Sequence, residues 1–221
     1  MKKWFIFALA LVVAFGVVAC QKKAPTAATA ATAATVAVAP PETPLTLTAD
    51  AQKLVKGTKV AVMDMGEKGA VEIEVLEKET PKTAANFIEL VNDKFYDGMP
   101  VHRVEDFVVQ AGDGTLVGKD VGDRKVDVEK DKRKCVRGAV SMARGMAPGS
   151  KDYGETSPTQ FFILKKDSPH LDKDFCVFGV VVSGMDVVDQ IRVNDKINRV
   201  RILTTGEEAP VGTAAEKPVK Q

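Results

Sequence analysis

The stretch VHRVEDFVVQAGD, residues 101–113, places a His-Arg pair just ahead of an apolar run. A strand that faces a core has no ordinary use for a fixed guanidinium, because arginine is costly to bury without a partner. Packed against an apolar wall and aimed outward, Arg103 would be a planar, permanently charged donor for a ligand. At an open strand edge it would be solvated or ion-paired, with Glu105 and Asp106 as the adjacent partners, and such pairs are often purely structural. Other chemistries find little support. The two histidines, His102 and His170, have no cysteine or carboxylate at metal-ligand spacing. No G-x-S-x-G nucleophile motif occurs. His102, beside Arg103, reads as a core or supporting histidine rather than a base. Cys135 and Cys176 each adjoin an apolar strand, and spacing alone leaves open a disulfide or two buried thiols.

The elements that must hold Arg103 come from a chain of 221 residues, enough for one sizeable domain with appendages. Its 31 basic and 30 acidic side chains balance, which removes the electrostatic case for a nucleic-acid partner. The N-terminus, MKKWFIFALALVVAFGVVAC, has a lysine-bearing start and an apolar stretch short for a membrane-spanning helix. It is therefore set aside as a targeting segment. Its end, VVAC, resembles the lipobox of bacterial lipoproteins, which implies a signal peptide over 1–19 and a diacylated Cys20 as the first mature residue. An ordinary secretory signal or an uncleaved anchor is the alternative. Gln21, rather than Asp, points by the same resemblance to the outer membrane, with two acyl chains giving stable anchoring. Residues 20–47 then read as the lipidated cysteine and a flexible Ala/Thr/Pro linker, 48–205 as one folded domain, and 206–221 as a disordered tail.

Within the domain, TKVAVMDM and AVEIEVL flank Gly66-Glu67-Lys68-Gly69, a hairpin pattern. Val71, Ile73 and Val75 alternate with Glu72 and Glu74, predicting one buried and one wet face. TPKTAANFIELVND predicts a helix with Thr80 as N-cap, Pro81 at its first position, and Ala84, Phe87, Leu90 and Val91 on one face. FVVQAG, RGAVSMA, FFIL and CVFGVVV predict further strands, and GMDVVDQIR a late helix. Many short strands with two helices predict a closed barrel or a sandwich. The charged run DRKVDVEKDKRK, residues 123–134, reads as a solvated loop.

PKTAANFIELV, FYDGMPVHRVEDFVVQAGD, GAVSMAR, SPTQFFI and LDKDFCVFGVVVSGMDVV, in this order and spacing, resemble cyclophilin-type peptidyl-prolyl isomerases over roughly residues 58–204. The resemblance implies a mainly β fold, a closed eight-stranded antiparallel β-barrel capped by two α-helices. It also implies rotation about X–Pro bonds of proline-containing polypeptide clients. Arg103 falls on the family's catalytic arginine. Phe107, Val108, Phe162 and Leu171 fall on the proline pocket, and Gln110 on the glutamine that positions the substrate backbone. Ala143 and Arg144 fall on the family's Ala-Asn edge, and Gln160 precedes the phenylalanine pair. His170 stands where many eukaryotic members carry the tryptophan that grips cyclosporin, and Phe175 where they carry histidine. Between Arg103 and Phe107 one residue is missing, where the family often has Pro-Gly. The expected protein is a monomer without cofactor or metal, lipid-anchored on the periplasmic side of the cell envelope and assisting the folding of exported proteins. A tethered binding module with little catalysis is the alternative that the shortened loop would favour.

Overall fold

The computed structural model describes residues 44–127, 129, 133–145 and 154–206. The signal segment, Cys20, residues 21–43 and the tail after 206 lie outside the described residues. Eight strands are described: β1 Lys59–Asp64, β2 Ala70–Val75, β3 Arg103–Val104, β4 Val108–Ala111, β5 Ala139–Arg144, β6 Thr156–Leu164, β7 Val177–Ser183 and β8 Arg199–Thr204. They form one antiparallel sheet in the order β3-β4-β6-β5-β7-β2-β1-β8. The helices are α1 Ala49–Gln52, α2 Pro81–Asn92 and α3 Met185–Gln190, so a short helix joins the two expected from the sequence.

The sheet curls around one face of its strands, whose apolar side chains fill the interior. Val71, Ile73 and Val75 of β2, Val109 and Ala111 of β4, Val140 and Met142 of β5, and Phe161 and Ile163 of β6 point into this core. Phe87 of α2 plugs it, with ring centroids 4.9 Å from Phe178, 5.5 Å from Tyr96 and 5.7 Å from Phe161. The fully buried Tyr96 donates its hydroxyl to the Thr159 carbonyl at 3.0 Å, and burial pushes its pKa upward.

The expected closure is made differently from a continuous ladder. β3 and β8 stand at the two ends of the strand order and do not pair with each other. The backbone just ahead of each strand joins instead. Pro100 bridges Lys196, Val101 N donates to Asp195 O at 2.8 Å, and Ile197 N donates to Met99 O at 2.9 Å. β3 is only two residues long, so an irregular segment must complete the seam. β8, which the sequence reading did not pick out, is masked by Arg199 and Arg201 between its apolar residues. Arg201 nonetheless pairs with Asp97 at 2.8 Å on a partly buried face.

Three local expectations are corrected. Thr80 precedes α2, but its hydroxyl donates back to the Leu76 carbonyl at 3.1 Å rather than capping the helix. The first-turn N–H groups of Lys82 and Thr83 are taken by the Glu129 carboxylate at 3.0 and 2.7 Å. Of the charged run 123–134, residues 128 and 130–132 lie outside the described residues, and the described ones are not simply a solvated loop. Besides Glu129, Asp127 pairs with Lys82 at 2.6 Å and Arg133 with Glu79 at 3.2 Å, which ties these residues to α2 and the segment before it.

The third correction concerns the outer face of β2. Glu72 is not wet; it is 1% exposed. Residues 44–56 lie across this face as a strap, and Leu45, Leu47 and Leu54 pack with Ala51, Val60, Val62, Val182 and Leu203. Ordered packing therefore starts within the stretch read as linker. Thr48 supplies the partners Glu72 needs, donating its N–H at 2.8 Å and its hydroxyl at 2.5 Å, while the same hydroxyl accepts from Ala51 N at 3.4 Å as the cap of α1. Replacing Thr48 by valine keeps the shape but strips a buried carboxylate of one donor and α1 of its cap. Thr48→Val should cost about 1–2 kcal/mol of folding stability, read from the urea midpoint. An unchanged midpoint would show that the hydroxyl contributes nothing.

Candidate active site

The strand residues that do not face the core build a second apolar surface on the outside of the sheet. Val108 of β4, Ala139 and Ala143 of β5, Phe162 and Leu164 of β6, and Val177 of β7 form it with Leu76 and Cys135. Phe107, Leu171 and Phe175 pack on this surface while staying partly open. Together with His102, Arg103, Val108, Gln110, Ala143, Arg144 and Phe162 they line a cleft of about 430 Å³. Phe162 and Phe175 meet edge to face at 5.2 Å, a favourable aromatic geometry.

The β3–β4 hairpin carries the polar side of the cleft. Arg103 pairs with Gln110 and Val104 with Val109. Glu105 N donates to Val108 O at 2.9 Å, and Val108 N returns to Glu105 O at 3.4 Å, so only Asp106 and Phe107 make the turn. The turn between the paired strands is thus two residues long. Phe107 is fixed through its carbonyl, which accepts from Lys165 N at 2.7 Å. Beyond β4, Gly112 adopts φ +96° where a Cβ would sit 2.3 Å from the Thr159 carbonyl, so glycine is required for β4 to continue beside β6.

The Arg103 guanidinium lines the cleft and is ion-paired: Nε donates to Glu105 Oε1 at 2.7 Å and Nη1 to Gln110 Oε1 at 3.0 Å. Nη2 has no partner among the described residues. Gln110 passes the chain on, donating Nε2 to Gln160 Oε1 at 2.9 Å. Gln160 is therefore one hydrogen bond behind the cleft rather than on its wall. His170 is exposed at the rim, its ring 6.2 Å from that of Phe107.

Arg144 is built into the wall. It donates through Nη1 to the Asp174 carbonyl and through Nη2 to the Gly154 carbonyl at 2.6 Å, tying two loops together beside the cleft. Cys135 and Cys176 are buried thiols rather than a disulfide. The Cys135 N–H donates to Asp172 Oδ1 at 2.7 Å, and this bond, with Lys134 nearby, holds the Asp172 carboxyl below its usual range.

His102 lines the cleft at the entrance of the β3–β4 hairpin, just ahead of Arg103. Nδ1 is buried with no hydrogen-bond partner. Burial lowers the pKa of His102, Arg103 reinforces that direction, and Asp113 opposes it.

A curled antiparallel sheet with a mainly apolar outer cleft and a guanidinium at its lip is the arrangement of a prolyl isomerase. The comparisons agree. A family profile described as "Cyclophilin type peptidyl-prolyl cis-trans isomerase/CLD" matches residues 60–207. Peptidyl-prolyl cis-trans isomerase-like 3 of Homo sapiens is 36% identical over 140 residues, spanning 59% of this chain and 83% of that protein. Peptidyl-prolyl cis-trans isomerase B of Bacillus subtilis is 36% identical over 135 residues, spanning 60% and 90%. Among solved structures, a cyclophilin-type isomerase from Cryptosporidium parvum, crystallised with the dipeptide Ala-Pro, superposes with a TM-score of 0.53 at 23% identity, covering 67% of this chain and 99% of that one. The chain belongs to the cyclophilin-type peptidyl-prolyl cis-trans isomerase family, and it is an enzyme of that class.

The lowered pKa of His102 has a defined consequence. Below the ordinary value of 6.5 the unfolded chain binds this proton more readily than the folded one. Its contribution to stability is present above 6.5 and is lost as pH falls through the depressed value. An NMR titration of the His102 ring should give a midpoint below 6.5; a midpoint at or above it would contradict the burial described.

Proposed function

We propose that Arg103 is the catalytic donor and that the cleft formed by Phe107, Val108, Phe162 and Leu171 holds the prolyl ring. The observation that carries this reading is the β3–β4 register, which sets Arg103 opposite Gln110 while Phe107 and Val108 close the same hairpin. Donor and ring wall thus share one rigid frame. Rotation about a peptide bond meets a barrier of about 18–20 kcal/mol because the C–N bond is partly double, and X–Pro bonds interconvert unaided over roughly tens to hundreds of seconds.

No covalent step is needed. The wall fixes the ring, excludes water and lets the preceding carbonyl swing. As the amide twists, its nitrogen regains a lone pair, and a guanidinium N–H aimed at that nitrogen binds the twisted state more strongly than either planar isomer. The Nη2 group left over by Glu105 and Gln110 is the donor suited to this task. Gln110, braced by Gln160, accepts or donates to the substrate backbone. Ala143 and Arg144 shape the edge along which an extended client lies, with Phe175 beside them and His170 at the outer rim.

The lipobox-like VVAC, the linker-like composition that follows, and the position of the folded domain after them support a lipid-anchored enzyme on the periplasmic side of the envelope, at the outer membrane. There, as a monomer, it would act on proline-containing segments of exported proteins. Mass spectrometry of the membrane fraction should find an acylated peptide beginning at Cys20, and Cys20→Ser should release the domain. A native protein that is unmodified and starts elsewhere would refute the anchor.

The catalytic assignment is tested in a protease-coupled assay on a short Ala-Xaa-Pro-Phe peptide. Arg103→Ala should lower kcat/KM at least tenfold, about 1.4 kcal/mol of transition-state stabilisation, with the fold intact. Arg103→Lys should recover little, since the planar fork is lost. Unchanged kcat/KM in Arg103→Ala would sink the mechanism.

A further inference from the structure

We infer that Glu105 is a positioning residue for this reaction, holding the Arg103 guanidinium in the orientation that leaves Nη2 to the substrate; the inference rests on the assignment of Arg103 above. It follows from the two-residue turn. Successive strand residues alternate faces, so residues 103 and 105 project to the same side when both stay in strand geometry. Glu105 lies just past the end of β3, where its N–H and carbonyl both bond Val108, and its carboxylate reaches the Arg103 side at 2.7 Å from Nε.

The result is a guanidinium held at two points from opposite sides of the hairpin. Glu105 Oε1 takes Nε at 2.7 Å from the Arg103 strand, and Gln110 Oε1 takes Nη1 at 3.0 Å from the facing strand. Two contacts fix the plane of the fork; one would leave it free to swing about that contact. This matters because the Arg103 side chain is 45% exposed and so has little packing to hold it. Asp106, the neighbouring carboxylate, does not compete, since it is 97% exposed at the turn and its ion pair is with Lys166 at 3.9 Å. Glu105 is not among the residues that line the cleft, so it acts through Arg103 and not on the client.

A double-mutant cycle on the full chain tests this, with kcat and KM separated by varying peptide concentration. Glu105→Ala should lower kcat about threefold to tenfold with KM nearly constant. Glu105→Gln, whose amide oxygen can still accept from Nε, should recover most of the loss. In an Arg103→Ala background Glu105→Ala should add nothing, an outcome that general damage to the hairpin would not produce. The inference is overturned if Glu105→Ala leaves kcat unchanged, shifts KM alone, or keeps its full effect without Arg103. An Arg103→Ala enzyme of normal activity would instead overturn the assignment of Arg103, so the two failures are told apart.

Discussion

The pairing of β4 with β6 is the constraint on which both the fold and the site depend. Val108 faces Leu164, Val109 faces Ile163, Gln110 faces Phe162 and Ala111 faces Phe161. With a side-chain period of two, this register sends Val109, Ala111, Phe161 and Ile163 into the core and leaves Val108, Gln110, Phe162 and Leu164 on the outside. A slip of one residue would exchange the two sets, emptying the core and dismantling the cleft in the same step. Stability and function are therefore enforced by one set of backbone bonds, and Gly112 protects it by letting the chain pass close to Thr159 at its end.

Around that sheet, loops are fastened less by apolar packing than by single side chains reaching several backbone atoms. Lys119 donates to the carbonyls of Lys94, Phe95 and Asp97 at 3.2, 2.6 and 2.9 Å, closing the turns after α2. Arg144 does the same for the loops at Gly154 and Asp174, and Glu129 for the start of α2. Each spends one charged group on donors or acceptors that have no strand partner. Backbone carbonyls and N–H groups without strand partners are thereby satisfied, those bound by Arg144 beside the cleft itself.

How much of this could be read in advance follows from where each partner lies in the chain. Strands with clear alternation, the amphipathic α2, and the group Arg103, Phe107, Gln110 and Phe162 were legible, because local pattern and motif carry them. The split of the phenylalanine pair, Phe161 inside and Phe162 outside, needed the register with β4. The capping of α2 by Glu129 was hidden by its distance along the sequence, and the helix start signals near Thr80 pointed to a closer acceptor. The strap was hidden by composition: Leu45 and Leu47 sit in an Ala/Thr/Pro-rich stretch, and their apolar partners are on the outer faces of β1, β7 and β8. Glu72 looked wet for the same reason, since nothing local announces that Thr48 covers it. The seam between residues 98–101 and 194–197 has no periodicity to detect at all.

The strap also gives the domain a mechanical character. Tension applied to the chain ahead of residue 44 enters through Leu45 and Leu47, then Thr48 with its grip on Glu72, then Ala51 and Leu54. These contacts lie in sequence along the pulled segment, so they are loaded one after another, as in peeling tape, rather than all at once. β1, which comes next, is hydrogen-bonded along its length to both β2 and β8 and resists collectively in shear. A tug from the N-terminal side therefore meets the strap first, and lifting it lengthens the free chain before the ladders of β1 are reached.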